Sequence, residues 1–319
     1  MTRSRLASAF DDGPSRAAAA AALAAIDETP AGIEPLDRGS RKQTAIARFA
    51  ERGPVVVQVC PEREWLRTEA ALLRELRRRT FVPVPPVLAA GTHEGVAYTL
   101  TAYVPGDDLH ERFVELDPET RRALVRWFGR ALARLHDAFE FDGYGPLRFS
   151  GDRFTATRSN WVPWFREYAR RAVDRLPTAF DPIRDELDAS VGEVPDACPT
   201  PRLFPWDFRP GNALVTDGSI TAVLDWEAPL AAAPALSVAK AEYLVADWYV
   251  EDPEPLRRAF RDGYAEVRAY PSIPPAYRIA AVAESAVDSA GVVTNPRYPP
   301  VGTDESVAFH RDALIGALE

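Results

Sequence analysis

The chain has 319 residues, 46% of them hydrophobic, with 38 basic and 47 acidic side chains and a formal net charge of −9. That composition excludes disordered and fibrous classes, and the acidic balance offers no means of neutralising a nucleic-acid backbone, so no nucleic-acid partner is expected. The length exceeds the needs of one compact core, which points to a bilobal unit or two domains.

In chain order, residues 16–27 read as a short helix, followed by three strands over 32–37, 43–49 and 54–59. A helix is expected over 63–79, where Trp65, Glu69, Leu72 and Leu76 share a stripe at helical spacing. After the proline-rich loop 82–86 come two more strands, Val87–Ala90 and Val96–Tyr103. Beyond Gly106 the pattern turns helical. Pro118–Phe139 has Leu124, Phe128, Leu132 and Leu135 as its inner face, and Ser159–Leu176 is a second helix rich in aromatics. Ala213–Val215 and Ile220–Leu224 form a hairpin about the turn Asp217-Gly218. Helices near 234–249, 253–268, 272–290 and 303–318 complete the chain, with no internal repeat.

Cys60 and Cys198 make no disulfide framework. No apolar run reaches membrane-spanning length, and the amino terminus lacks a secretory pattern, so a cytoplasmic protein without a membrane partner is expected. The four histidines (His93, His110, His136 and His310) show no zinc-ligand pairing. A nucleophile elbow, a Walker A loop and a dinucleotide fingerprint are all missing. Among the basic residues only Lys42 and Lys240 are lysine.

The chemistry concentrates between residues 207 and 227. Asp207 is followed five residues later by Asn212, and Asp225 stands thirteen further on, beside Trp226 and Glu227. Phosphoryl transfer needs such a set, with an acceptor for the substrate hydroxyl proton and hard oxygen ligands for magnesium. Pro210-Gly211 is a turn signal expected to fold Asn212 back toward Asp207.

In these residues, and in the order of modules upstream, the chain resembles the aminoglycoside phosphotransferase family, a kinase-like group that includes choline and homoserine kinases. The resemblance covers about residues 30–270. It implies an α+β, two-lobed protein-kinase-like fold, with a β-rich lobe over 1–104 and a mainly helical lobe over 105–319. It also implies transfer of phosphate from ATP or GTP, with Mg2+, to a hydroxyl of a small molecule. Asp207 is then the base or hydroxyl-positioning group, Arg209 a cation facing the transferred phosphate, and Asn212 and Asp225 the magnesium ligands. Glu227 is read either as a contact for metal-bound water or a cationic substrate, or as a structural hydrogen-bonding group. The nucleotide base is expected along Leu100–Tyr103, with Thr101 and Tyr103 as contacts.

Two departures from the family pattern stand out. Pro205-Trp206 replaces the His-Gly that precedes the family aspartate. The family's strand lysine, which holds the α- and β-phosphates, is replaced by Gln58 on the face of Val56 and Cys60, while Glu69 looks like the lysine's partner glutamate. Two resolutions follow. Either Lys42, in the loop Gly39–Lys42, supplies the missing charge, or the chain is a catalytically degenerate kinase-like nucleotide-binding or scaffold protein. Transfer of AMP rather than phosphate is a third reading. The acceptor and the oligomeric state are left open.

Overall fold

A computed structural model describes residues 2–36, 41–194 and 198–319. The expected phosphate-covering loop Gly39–Lys42, and the end of the first expected strand at Asp37, lie partly outside the described residues. The chain divides into two compact units. The first holds residues 1–106 with the later segments 148–154 and 221–228; the second holds 107–147, 155–220 and 229–319.

In the first unit, α1 (Thr2–Ala7) and α2 (Gly13–Leu23) precede β1 (Gly32–Leu36), β2 (Gln43–Arg48) and β3 (Val55–Cys60). Then follow α3 (Arg63–Arg79), β4 (Val87–His93) and β5 (Val96–Ala102). The five strands form one antiparallel sheet in the order β1-β2-β3-β5-β4. α2 starts at Gly13 rather than 16 because Asp12 caps it, accepting from the Ser15 N–H at 2.7 Å, with Pro14 in the first turn. β4 runs past the expected Ala90 to His93, since Glu94 and Gly95 take φ of 47° and 85° and close a tight hairpin.

Alternation along β3 sorts the faces of this sheet. Val55, Val57 and Val59 pack with Leu100 of β5 and with Ala18, Ala19, Ala22 and Leu23 of α2. Each fully buried valine contributes about 1.5 kcal/mol or more from apolar burial. The opposite face carries Val56, Gln58 and Cys60, and Cys60 packs on Leu66 of α3 and Ala97 of β5. Gln58 lies across from Thr44 on β2 and Thr99 on β5.

The second unit opens with β6 (Asp107–Asp108), α4 (Leu109–Arg112) and α5 (Pro118–Ala138). β7 (Tyr144–Ser150) and β8 (Arg153–Arg158), whose residues within 148–154 belong to the first unit, are followed by α6 (Trp161–Asp174), α7 (Asp181–Gly192) and β9 (Arg202–Phe204). Next come β10 (Ala213–Thr216), β11 (Ser219–Val223, with Thr221 onward in the first unit), β12 (Leu230–Ala232) and α8 (Pro234–Glu242), then α9 (Glu254–Ala265), α10 (Pro275–Ala286) and α11 (Thr303–Leu318). α5 and α9 cross at a pair of glycines. A Cβ on Gly129 would lie 2.0 Å from the Phe260 carbonyl oxygen, and one on Gly263 2.0 Å from that of Arg126.

The helix expected over 234–249 ends at Glu242 and gives way to a wider turn, Tyr243–Asp247, with i→i+5 spacing. That spacing aligns Glu242 with Asp247, opposite Arg261 and Arg257 of α9. Both pairs are bidentate, at 2.9 Å for Glu242–Arg261 and 2.7 Å for Asp247–Arg257.

Candidate active site

The first unit gathers three predicted or weighed carboxylates around one ammonium group, that of Lys42. Gln43 faces α2, with its Oε1 accepting from the Asp11 N–H at 2.8 Å. Strand alternation therefore turns its neighbour Lys42 to the α3 side, the side of Thr44 and Gln58. There Lys42 Nζ lies 3.0 Å from Glu69 Oε2, 3.3 Å from Asp225 Oδ1 and 3.0 Å from Glu227 Oε2. Glu69 is buried and the Lys42 side chain nearly so, 6% and 10% exposed, whereas Asp225 is 42% exposed. Arg41, the other cation of this loop, stacks on Trp65 of α3 at 4.2 Å.

Burial opposes the charge on Lys42, but the carboxylates of Glu69, Asp225 and Glu227 outweigh it and hold its pKa above the ordinary lysine value. Burial raises the pKa of Glu69, with Lys42 acting against that rise. With no lysine on β3, Glu69 takes its partner from Lys42, the residue just before β2. Gln58 instead accepts from the Thr99 hydroxyl at 3.3 Å. Thr101 is buried in β5, and Tyr103 is exposed just beyond it, its N–H donating to Pro54 O at 3.2 Å.

Asp225 follows β11 and takes φ of 59°, a left-handed conformation that aspartate tolerates better than most residues. Ala228 repeats it at 50°. These two positions bend the chain sharply around Trp226, whose indole donates to Val223 O at 2.9 Å.

The second unit holds the loop that begins at Asp207. Pro210–Asn212 forms a single helical turn closed by the Asn212 N–H on Arg209 O at 3.0 Å. The turn brings Asn212 back to Asp207, as Pro210-Gly211 foretold. Asn212 Nδ2 donates to Asp207 O at 2.8 Å and to Asp207 Oδ2 at 3.0 Å, and Arg209 Nε donates to Asp207 Oδ1 at 2.8 Å. A carboxylate has about four acceptor positions, so Asp207 retains capacity for a substrate hydroxyl. Burial opposes its ionisation, yet Arg209 and Lys240 together with these donated bonds hold its pKa below the usual carboxylate range. Phe208 anchors the loop edge-on against Phe128 of α5 at 5.2 Å.

Where the family carries His-Gly, Trp206 packs edge-on against Tyr168 at 6.0 Å, and the ammonium of Lys240 on α8 stands 4.0 Å from its ring centroid. Lys240 escaped the motif reading, although its rarity in an arginine-rich chain is a signal in itself. Among the described residues no group of three or more His, Cys, Asp or Glu side chains forms a ready metal cage. Magnesium needs no such cage when phosphates complete its shell. Both Asn212 amide hydrogens are committed to Asp207, which leaves Oδ1 as its outward oxygen, and Asp225 is a half-exposed carboxylate. Both are donors of the kind magnesium takes.

A β-rich unit joined to a mainly helical one, each with its share of these side chains, defines the kinase-like phosphotransferase class. Residues 32–276 match the phosphotransferase enzyme family model, and the chain belongs to that family. Among solved structures, it is similar to a thermostable mutant of aminoglycoside phosphotransferase APH(4)-Ia at 17% identity and TM-score 0.64, covering 91% of this chain and 94% of that one. The same enzyme has been solved in a ternary complex with AMP-PNP and hygromycin B. A candidate aminoglycoside phosphotransferase of Ralstonia eutropha JMP134 aligns at 17% identity over 92% of each chain, with TM-score 0.63. A candidate fructosamine-3-kinase of Thermobifida fusca YX-ER1 aligns at 18% identity over 93% of this chain and 98% of that chain, with TM-score 0.55. No curated protein sequence matches the chain. No described helix is long and apolar enough to cross a membrane.

Proposed function

We propose that the chain transfers the terminal phosphoryl group of ATP or GTP to a hydroxyl of a small molecule in the cytoplasm. The observation that carries this reading is Lys42 on Glu69 and Asp225, because it supplies the lysine–glutamate pair that Gln58 had put in doubt. Lys42 then neutralises phosphate oxygens, and Glu69 holds the ammonium in place. The nucleotide base lies along Leu100–Tyr103, with Thr101 and Tyr103 as contacts, and Gln58 donates to a phosphate oxygen. Asn212 and Asp225 are the residues to hold magnesium, which when bound adds positive charge against the phosphates. Asp207 orients the acceptor hydroxyl and takes its proton, and Arg209 balances charge on the group in transfer. Catalysis is positioning and charge neutralisation, with no covalent enzyme intermediate.

Thermal unfolding with and without ATP and magnesium tests the reading, on the wild type and on Asp225→Ala. A magnesium-dependent rise in Tm that Asp225→Ala abolishes is the expected result. No rise in a folded protein would leave a kinase-like scaffold without nucleotide chemistry.

A further inference from the structure

Among the described residues, charge around Asp207 does not balance. Asp207 is paired with Arg209 at 2.8 Å, and Glu284 of α10 with Arg175 at 3.1 Å, so these four side chains cancel in two pairs. Lys240 feels the charge of all four and belongs to neither pair. It is 4% exposed, and among the described residues its ammonium meets no carboxylate at ion-pair distance, only the face of Trp206. Burial of this lone cation lowers its pKa, against the pull of Glu284 and Asp207. Two more polar atoms of the cluster lack a partner among the described residues. They are the hydroxyl of Tyr168, a residue 3% exposed whose ring meets Trp206, and Oε2 of Glu284, a residue 7% exposed. Orphaned buried groups of this kind each cost stability unless a ligand satisfies them.

We propose that Lys240, Tyr168 and Glu284 form the acceptor subsite beside Asp207, and that the acceptor is a hydroxy acid. Its carboxylate accepts from Lys240 and Tyr168, and one of its further hydroxyl groups donates to Glu284 Oε2. This rests on the phosphotransferase reading. In the step itself the bond from the terminal phosphorus to the nucleoside diphosphate oxygen breaks, and a bond from that phosphorus to the acceptor oxygen forms. The hydroxyl proton passes to Asp207, and the nucleoside diphosphate leaves with the electron pair. A polycationic amino sugar would set like charge against Lys240, and a neutral polyol would leave the ammonium unpaired. A monoanion resolves both problems.

The competing role for Lys240 is a plain brace for Trp206, and stability separates the two. A buried cation kept for ligand binding costs the empty protein stability, so Lys240→Met is expected to melt at or above the wild type. A brace predicts a lower Tm. The second arm uses matched probes, D-glycerate against glycerol and D-gluconate against glucose and glucosamine, each added with ADP and magnesium. The acids are expected to raise Tm and bind at least about tenfold tighter than their neutral partners. Lys240→Met abolishes that preference, and Tyr168→Phe, which keeps the ring packing, weakens it. The inference is overturned if Lys240→Met melts below the wild type, or if neither acid outperforms its neutral or cationic counterpart. The ATP–magnesium shift without acceptor, run in the same assay, judges the phosphotransfer reading separately.

Discussion

Replacing Lys42 with methionine removes one ammonium from among three carboxylates while keeping most of the side chain's bulk. Glu69, with its side chain 6% exposed, then has no cation within ion-pair distance among the described residues, while Asp225 and Glu227 remain beside it. Breaking a buried pair from one side costs about 3–5 kcal/mol. Glu69 can limit the loss by taking up a proton, since burial already raises its pKa. We therefore expect about 3 kcal/mol, equivalent to a Tm lower by roughly 6–10 °C. Glu69→Gln in the same chain should return most of it, giving a coupling of about 2 kcal/mol in a double-mutant cycle. Turnover is a separate axis. Losing the phosphate-neutralising charge should lower kcat/KM for nucleotide about 10²–10³-fold. Glu69→Gln does not restore that loss, whereas Gln58→Lys, which returns a lysine to the α3-facing side of β3, restores part of it. Nucleotide-dependent Tm shifts and turnover that survive Lys42→Met intact would refute the reasoning.

Asp207→Asn should lower kcat by about 10²–10⁴-fold while the ATP–magnesium shift persists, because the base acts on the acceptor and not on nucleotide affinity; steady-state kinetics beside thermal shift decide it. Gly129→Ala drives a Cβ to within 2.0 Å of a backbone carbonyl, which cannot yield as a side chain can, and should cost about 3 kcal/mol or more in urea unfolding. Unchanged stability would mean that α5 and α9 separate freely. Burial lowers the pKa of His310 to about 4, below its unfolded value of 6.5, so its stabilising contribution is full above pH 6.5 and is lost as pH falls toward 4. The wild type minus His310→Gln difference in unfolding free energy should fall over that window by up to about 1.4 kcal/mol per pH unit; a flat difference contradicts it.

Much of the first unit was legible because its local signals agree. Alternating valines in β3, the stripe of α3 and the turn residues around β4 and β5 each point to one arrangement. The loop 207–212 was legible for the same reason, since Pro210-Gly211 permits few paths other than the one that returns Asn212 to Asp207. The segments 148–154 and 221–228, which fold back into the first unit, have no local signature, because tertiary contacts decide their place. Nor does spacing reveal that Lys42 meets Glu69, Asp225 and Glu227. Helix α3 supplies one of those carboxylates and the loop after β11 the other two, and only the β2 register, with Gln43 toward α2, turns Lys42 toward them. The wider turn after α8 was hidden likewise, as the arginines that pair with Glu242 and Asp247 across it stand on α9, far along the chain.

The two lysines of the chain gain meaning from this placement. Arginine serves every other basic position, on exposed helix faces and in bidentate pairs such as Arg257–Asp247 and Arg261–Glu242. A planar guanidinium suits those pairs, because its fork matches a carboxylate edge. It does not suit Lys42, where three carboxylates from α3 and the loop after β11 converge on one atom, at 3.0, 3.3 and 3.0 Å. A compact ammonium with three donors meets that demand. Lys240 shows the same preference over the Trp206 face, inside a cluster already crowded by Arg175 and Arg209. Each unit therefore keeps its single lysine where a point charge must fit a closed space beside the residues of the proposed chemistry. A composition biased toward arginine has left lysine where geometry excludes the larger group.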